Sequence, residues 1–267
     1  MVEITTHTLV KNEDRWVWFS LKAWEPYASK MLVFDDDSTD NTQEIIESLH
    51  SKKTIYKRIQ IESPAQMTDA RQVMKLETKN PWFVILDGDE IWNSSIILNF
   101  MKHLESVGPK IAMVALRTRN CIGDIYHYLD ESYGQYEILG MRGHFNVRAY
   151  RNDPKFHWYG KYPLEYYGDK DKTDLLKNPS TVSFFDSYYW HMTHLPRSSK
   201  KTLVKGWRKI KYGLGIAVSD TKEFPEVFSL PRPALVANPW KRRSLTQVFI
   251  AMSLAPLRYL KRKVKFL

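Results

Sequence analysis

Stretches with strand character alternate with helical stretches along the first 118 residues, and this order limits the fold more than any other feature. Five apolar or β-branched runs fit strands, at residues 4–10, 30–34, 55–61, 82–87 and 111–118. Helical patterns separate them, at residues 12–24, 37–50, 67–79 and 94–107. Because each helix can connect two strands that run in the same direction, the pattern predicts an α/β fold with a mostly parallel central sheet.

Acidic residues follow two of these predicted strands. One cluster is Asp35–Asp37, and the other is the run DGDE at residues 87–90. The carboxyl ends of parallel strands share one edge of a sheet, where ligands bind, so we expect both clusters to line one crevice. Carboxylates this close repel each other when they lose water, which calls for a cation. An Asp-x-Asp with Gly88 between its acids suits Mg²⁺ or Mn²⁺. Alternatively, these acids cap helices or lie in solvated turns.

Three motifs resemble those of the family 2 glycosyltransferases, and they occur in the same order. They are LVKNED (9–14), VFDDDSTDNTQEII (33–46) and DARQVMKLETKNPWFVILDGDEIW (69–92). One departure is Asp37, where the family usually has glycine. The resemblance implies a GT-A fold with a Rossmann-like sheet and a nucleotide-sugar donor, with UDP as the expected carrier. It also implies inverting transfer of the sugar to a hydroxyl of a glycan or lipid-linked acceptor, as in cell-envelope polysaccharide synthesis.

The resemblance also assigns roles to individual residues. The residues expected to bind the nucleotide-sugar donor are Asp35, Asp36, Arg71 and Asp87. The expected ligands of the divalent metal, Mn²⁺ or Mg²⁺, are Asp89 and a histidine. His191 and His194 are both candidates for that histidine. The Trp-His pair at His191 resembles the family more closely. Taken without the resemblance, Arg71 also fits a helix-surface ion pair, and each histidine also fits a packed or exposed side chain.

The acceptor side is expected in the segment 143–169, where an Arg-x-Tyr-Arg run precedes a glutamate. Glu165 is the candidate general base, because an inverting displacement needs a group that removes the proton of the acceptor hydroxyl. An ordinary ion-paired glutamate is the alternative. Asp124, Asp130 and Glu131 are competing bases within residues 119–142, a stretch predicted to be irregular. Aromatic residues crowd positions 156–167, where they suit sugar stacking or core packing.

Charge is distributed unevenly along the chain. Residues 187–267 hold 17 Lys/Arg and three acids, whereas residues 1–186 hold 23 Lys/Arg and 27 acids. Such asymmetry indicates an anionic partner. Residues 197–215 read as a basic helix and 223–239 as a proline-rich linker. Residues 240–267 have an apolar centre between basic clusters, which suits a helix lying on an anionic membrane or one packed on the domain.

These patterns predict a catalytic domain at residues 1–215 and a linker with a basic helical region at 216–267. No apolar run is long enough for a membrane span, and the N-terminus does not resemble a signal peptide. We therefore expect a cytoplasmic enzyme that binds peripherally to the inner face of the cell membrane. Cys121, the only cysteine, excludes an intrachain disulfide and a cysteine-rich metal site.

Two other functions fit parts of the sequence. A nucleic-acid-binding protein would explain the basic tail, but not carboxylates at two strand ends, and no nucleic-acid module is recognisable. No nucleic-acid partner is therefore expected. A sugar-phosphate nucleotidyltransferase would share the α/β fold and the metal. Such enzymes usually have a glycine-rich loop after the first strand, whereas this chain has VKNEDRW there.

Overall fold

The computed structural model describes residues 1–200 and 213–253. Its strands are β1 Ile4–Val10, β2 Lys30–Asp36, β3 Thr54–Ile59, β4 Trp82–Ile85, β5 Glu90–Ile91, β6 Met113–Ile122, β7 Asp124–Tyr128, β8 Tyr136–Ile138, β9 Met141–Gly143, β10 Phe145–Arg151, β11 His157–Tyr159, β12 Tyr166–Gly168, β13 Val182–His194 and β14 Ile216–Ala217. Its helices are α1 Val17–Trp24, α2 Thr42–Glu47, α3 Pro64–Glu77 and α4 Ser94–Ser106. Residues 245–253 are also helical. All five strands and four helices predicted within the first 118 residues are therefore confirmed.

The main sheet has the order β3-β2-β1-β4-β10-β6. Its first four strands are parallel throughout, with β1 between β2 and β4. Antiparallel pairing begins at β10, which lies between β4 and β6. The long strand β13 runs parallel to β6, and β5 pairs with β13 so that Glu90 lies opposite His191. The predicted α/β fold with a parallel central sheet is confirmed, and its strand order places the ends of β1, β2 and β4 at one edge.

Apolar side chains cover both faces of the sheet. Along β4, Trp82 and Val84 point into the larger core, which α1 and α4 complete. Phe83 and Ile85, the alternate residues, belong to a second core that includes side chains of β11 and β12. A third cluster joins α3 to β2. The continuous apolar run of β4 is therefore that of a strand buried on both faces.

Two local features fix the boundaries of early elements. Ser63 and Gln66 form a reciprocal capping box at the start of α3, and Pro64 occupies its first turn. Asp37 adopts a left-handed backbone, with φ of 48°, which glycine adopts without strain. Its carboxylate accepts hydrogen bonds from Arg58 at 2.8 and 2.6 Å. Asp37 therefore forms the turn after β2 in the place of the expected glycine.

Two segments differ from the sequence-based expectations. The stretch 119–142 is not irregular throughout, because β6 continues to Ile122 and β7, β8 and β9 follow. The segment 223–239 is not an extended linker, because Phe224, Val227, Phe228 and Val236 are buried in the larger core. The predicted domain boundary at residues 215 and 216 stays a prediction.

The basic tail lies largely outside the part of the chain that the structure describes. Residues 201–212, within the predicted basic helix 197–215, are not described. Neither are residues 254–267, the second half of the predicted region 240–267. In residues 1–200 and 213–253, no helix combines the length and the apolar character needed to cross a membrane.

Candidate active site

Charged side chains from several segments meet at the carboxyl edge of the sheet. The acids that end β2 and those that follow β4 lie on either side of the end of β1, because β1 pairs with both strands. The loop after β1 contributes Glu13, and the segment after β13 contributes Arg197. The strand order thus explains how residues more than 180 positions apart reach one site.

Arg148, on β10, neutralises two of the acids that follow β4. Its Nε donates to Glu90 Oε2 at 2.8 Å, and its Nη2 donates to Asp87 Oδ2 at 3.1 Å. Tyr189 donates a further hydrogen bond to Glu90 Oε1 at 2.9 Å. Burial raises the pKa of Glu90 above its ordinary value, and the charge of Arg148 opposes that rise. Glu90 is therefore a structural acid that is held inside by one arginine and one tyrosine.

Asp89 belongs to a second cluster. Arg197 Nε lies 3.1 Å from Asp89 Oδ2, and His191 Nε2 lies 3.4 Å from Oδ1. Arg197 also donates to Glu13 Oε2 at 2.9 Å. Burial works to raise the pKa of Asp89, but the charges of Arg197 and His191 outweigh it and hold that pKa well below its ordinary value. Of the two candidate histidines, His191 contacts Asp89, and His194 ends β13 three residues later.

Gly88 lets the loop between Asp87 and Asp89 approach β1 closely. A Cβ built on Gly88 would lie 2.8 Å from Val10 Cγ1 and 3.2 Å from Glu13 Cγ. A side chain at this position would therefore push the two aspartates away from the edge of the sheet.

The residues around Asp89 suit a divalent cation that is bound partly by protein ligands and partly by substrate ligands. Among the described residues, no group of three or more His, Cys, Asp or Glu side chains could hold a metal ion. Asp89 Oδ1 and Oδ2 are nevertheless buried without a hydrogen-bond partner, and His191 is adjacent. A carboxylate and an imidazole suit Mn²⁺, and such sites take their remaining ligands from substrate phosphates and water. With these two protein ligands, the site would be an open one, in which coordination positions are left for substrate and water.

Arg71 and Glu165, which the sequence assigned to different roles, lie next to each other. Arg71 Nε is 3.5 Å from Glu165 Oε1, and each side chain is only 12% exposed. The guanidinium lies 5.7 Å from the ring of Trp158, and Glu165 Oε2 is buried without a hydrogen-bond partner. Burial raises the pKa of Tyr150 to about 12, and charges from this pair and from the Arg148 cluster both act on it. The ring centroids of Tyr150 and Trp158 are 4.9 Å apart, so Tyr150 packs against the tryptophan that Arg71 also approaches.

The two acids that end β2 differ in access. Asp35 is fully buried, and its oxygens accept hydrogen bonds from the backbone N–H of Ser38 and from the hydroxyl of Tyr56, both at 2.9 Å. Asp36 pairs with Lys11 at 2.8 Å and keeps 13% of its side chain exposed. Of the two, Asp36 is the one that a ligand can reach without rearrangement of the turn.

The three competing bases have partners of their own. Asp124 contacts the ring of His127 at 2.6 Å, Asp130 caps the turn that follows it, and Glu131 pairs with Arg117 at 3.0 Å.

Sequence reasoning missed the counter-charges of the site. Arg148 lies in the Arg-x-Tyr-Arg run, to which the sequence assigns no role, and Arg197 lies in HLPRSS, which begins with the candidate His194. The one available signal was electrostatic, since the three acids of the DGDE run need cations nearby. Glu13, in NEDRW, gave no signal that separated it from a surface acid.

Comparison with known protein families decides the classification. The sequence profile described as glycosyl transferase family 2 matches residues 15–165, which is more than half of the chain. The chain belongs to glycosyl transferase family 2. The match covers the acids that end β2, the DGDE run and Glu165. Together with the sheet order, family membership confirms the predicted GT-A fold.

Solved structures resemble this family 2 member only distantly. The TarS fragment 1–349 of S. aureus has 12% sequence identity and a TM-score of 0.48, over 72% of this chain and 60% of its own. Glucosyl-3-phosphoglycerate synthase from Mycobacterium tuberculosis, solved with Mn²⁺, UDP-glucose and phosphoglyceric acid, has 13% identity and a TM-score of 0.49, over 72% of each chain. The chain spans less than two thirds of the TarS fragment. No curated protein sequence matches this chain.

Proposed function

We propose that this protein transfers a sugar from a nucleotide-sugar donor, with UDP as the carrier, to a hydroxyl of a glycan or lipid-linked acceptor. The observation that carries the proposal is the contact between Asp89 and His191 at the carboxyl edge, across the end of β1 from Asp36. A nucleotide that lies over the end of β1 has its base near Asp36 and its diphosphate near Asp89. Membership of glycosyl transferase family 2 supports this orientation.

On the donor side, the roles of the two acids that end β2 follow from their access. Asp36 accepts hydrogen bonds from the base or ribose, and its pairing with Lys11 orients its carboxylate. Asp35 holds the turn through Ser38 and Tyr56, so that Asp36 stays in place. Asp87, with 30% of its side chain exposed, faces the ribose while Arg148 fixes its orientation.

Asp89 and His191 are the residues that would hold a divalent cation, Mn²⁺ or Mg²⁺. When bound, that cation would neutralise the charge that develops on the diphosphate leaving group. The protein's own contribution before a cation binds is the positive charge of Arg197, 3.1 Å from Asp89 Oδ2, which favours the ionised carboxylate that a metal needs.

Glu165 is proposed as the general base. Its Oε2 accepts the proton of the acceptor hydroxyl while the acceptor oxygen forms a bond to the anomeric carbon of the sugar. The bond between that carbon and the diphosphate oxygen breaks on the opposite face, which inverts the configuration. Arg71 positions the glutamate through Oε1, so that Oε2 is left to receive the proton.

The test is release of a nucleoside diphosphate from a panel of nucleotide sugars, with and without Mn²⁺. Asp89→Asn and Glu165→Gln should each lower turnover by at least about a hundredfold, because general-base and charge-stabilising groups are typically worth this much. Glu137→Gln, which changes an exposed glutamate of β8, is the matched control. Full activity of Asp89→Asn would refute the metal site, and full activity of Glu165→Gln would refute the base.

Calorimetry separates this proposal from the two alternative functions. The transferase should bind UDP more tightly with Mn²⁺ than without it. Salt-sensitive binding of an oligonucleotide, with no Mn²⁺-dependent binding of UDP, would favour a nucleic-acid-binding protein. Formation of a nucleotide sugar from a sugar phosphate and UTP would identify a nucleotidyltransferase.

A lipid-linked acceptor would place the protein at the inner face of the cell membrane. In helical residues 245–253, Leu245, Phe249 and Met252 have helical spacing and are 78%, 68% and 55% exposed. The basic run 241–243 precedes them. An exposed apolar stripe beside basic residues suits an anionic membrane surface. Flotation with phosphatidylglycerol vesicles should recover the protein, and Phe249→Ser should reduce that recovery. Equal recovery of both proteins would contradict the placement.

A further inference from the structure

The charge of Asp89 is already compensated by the protein itself. Its side chain is 2% exposed, so an isolated carboxylate here would carry a large desolvation cost. Arg197 supplies the compensating charge at 3.1 Å from Oδ2, and Arg197 is in turn 21% exposed. Arg197 therefore occupies the place of a cation beside Asp89, while it shares its charge with Glu13.

A divalent cation and Arg197 compete for the same carboxylate. A metal ligand needs its oxygen lone pairs directed at the metal at about 2.1 Å, whereas the cationic side chain of Arg197 now lies 3.1 Å from Oδ2, although its Nε hydrogen is donated to Glu13. Two cations at one desolvated oxygen repel each other. We propose that Arg197 is an internal counter-cation of Asp89, which a divalent cation must displace in order to bind, so that Arg197 sets the metal affinity of the site. The proposal rests on the proposed function in taking Asp89 as the metal ligand.

The surroundings of Arg197 allow this displacement without unfolding. Glu13, buried beside it, accepts from Nε at 2.9 Å and also contacts Nη2, so the guanidinium keeps a partner when it leaves Asp89. The backbone of this segment is tied separately. Arg197 O accepts from Arg15 N at 3.1 Å, and Ser199 N donates to Asp14 Oδ1 at 2.7 Å. Because the guanidinium is already bonded to Glu13, it can move away from Asp89 while it keeps this partner.

The experiment is calorimetric titration of the full chain with Mn²⁺ alone, without nucleotide. Arg197→Gln should lower the dissociation constant for Mn²⁺ by about tenfold or more, since one interaction with a charged group is typically worth that factor. Lys200→Gln removes one positive charge from the same segment without removing a contact to Asp89, so it should leave the constant within about twofold of the wild type. Asp89→Asn should abolish binding in both backgrounds.

A second variant tests whether a folding defect explains the change in Mn²⁺ affinity. Arg197→Gln leaves Glu13 buried without its arginine, so the double variant Arg197→Gln/Glu13→Gln, which removes that carboxylate, should show the same gain in affinity. Circular dichroism checks that each variant is folded. Mn²⁺ binding that is lost in Asp89→Asn but is no tighter in either Arg197 variant would overturn this inference alone. Mn²⁺ binding that survives Asp89→Asn would overturn the metal site of the proposed function as well.

Discussion

Removing Arg148 from its buried pair with Glu90 should strongly lower the free energy of unfolding. The Glu90 side chain is fully buried, and that of Arg148 is 11% exposed. In Arg148→Met, Glu90 keeps its hydrogen bond from Tyr189 but loses its counter-charge. Removing one partner of a buried pair typically costs about 3–5 kcal/mol of unfolding free energy. Because the uncompensated Glu90 takes up a proton in the folded protein, this loss should be smaller at pH 5 than at pH 8.

Urea unfolding followed by tryptophan fluorescence measures this loss. Adding Glu90→Gln to Arg148→Met removes the stranded charge and should restore at least half of the lost free energy. The matched control is Arg58→Met, since Arg58 and its partner Asp37 are 49% and 53% exposed, and this change should leave the unfolding free energy close to that of the wild type. A cost below about 1 kcal/mol for Arg148→Met, or no recovery in the double variant, would refute the assignment of Glu90 as a buried ion.

Two further predictions concern the cores around the site. Burial lowers the pKa of His7 to about 3, with Arg71 and Lys30 adding to the effect, so His7 stays neutral in the fold while the unfolded imidazole takes up a proton below about pH 6.5. Its stabilisation is complete above pH 6.5 and is lost as the pH falls toward 3. The wild type should therefore lose about 2 kcal/mol more than His7→Gln between pH 7 and pH 5, and equal losses in urea titrations would contradict this. Phe228→Ala should cost about 3–5 kcal/mol because this side chain is fully buried, whereas a cost near zero would restore the linker interpretation of 223–239.

The first half of the fold was predictable because its signals are local. The strands β1, β2 and β4 are short apolar or β-branched runs, and the helices between them show periodic apolar positions. Strand ends then indicate where charged residues meet, which is how the acids after β2 and β4 were placed at one edge. These inferences need only the pattern of one segment at a time.

What could not be predicted depends on contacts between distant segments. Arg197 reaches Asp89 and Glu13 only because β13 returns beside β6 and β5, and no local spacing records that path. Proline-rich 223–239 resembles a linker in composition, yet Phe228 packs against Phe19 of α1 with ring centroids 5.4 Å apart. The amino-acid composition of a segment does not determine its burial, because burial depends on which other segments pack against it.

The most direct test of the central claim is a crystal structure with Mn²⁺ and UDP, in which anomalous scattering locates the manganese. We expect one manganese peak at about 2.1 Å from a carboxylate oxygen of Asp89 and bonded to a phosphate oxygen, with the uracil on the Asp36 side of β1. A manganese peak remote from Asp89, with UDP bound away from the carboxyl edge, would contradict it.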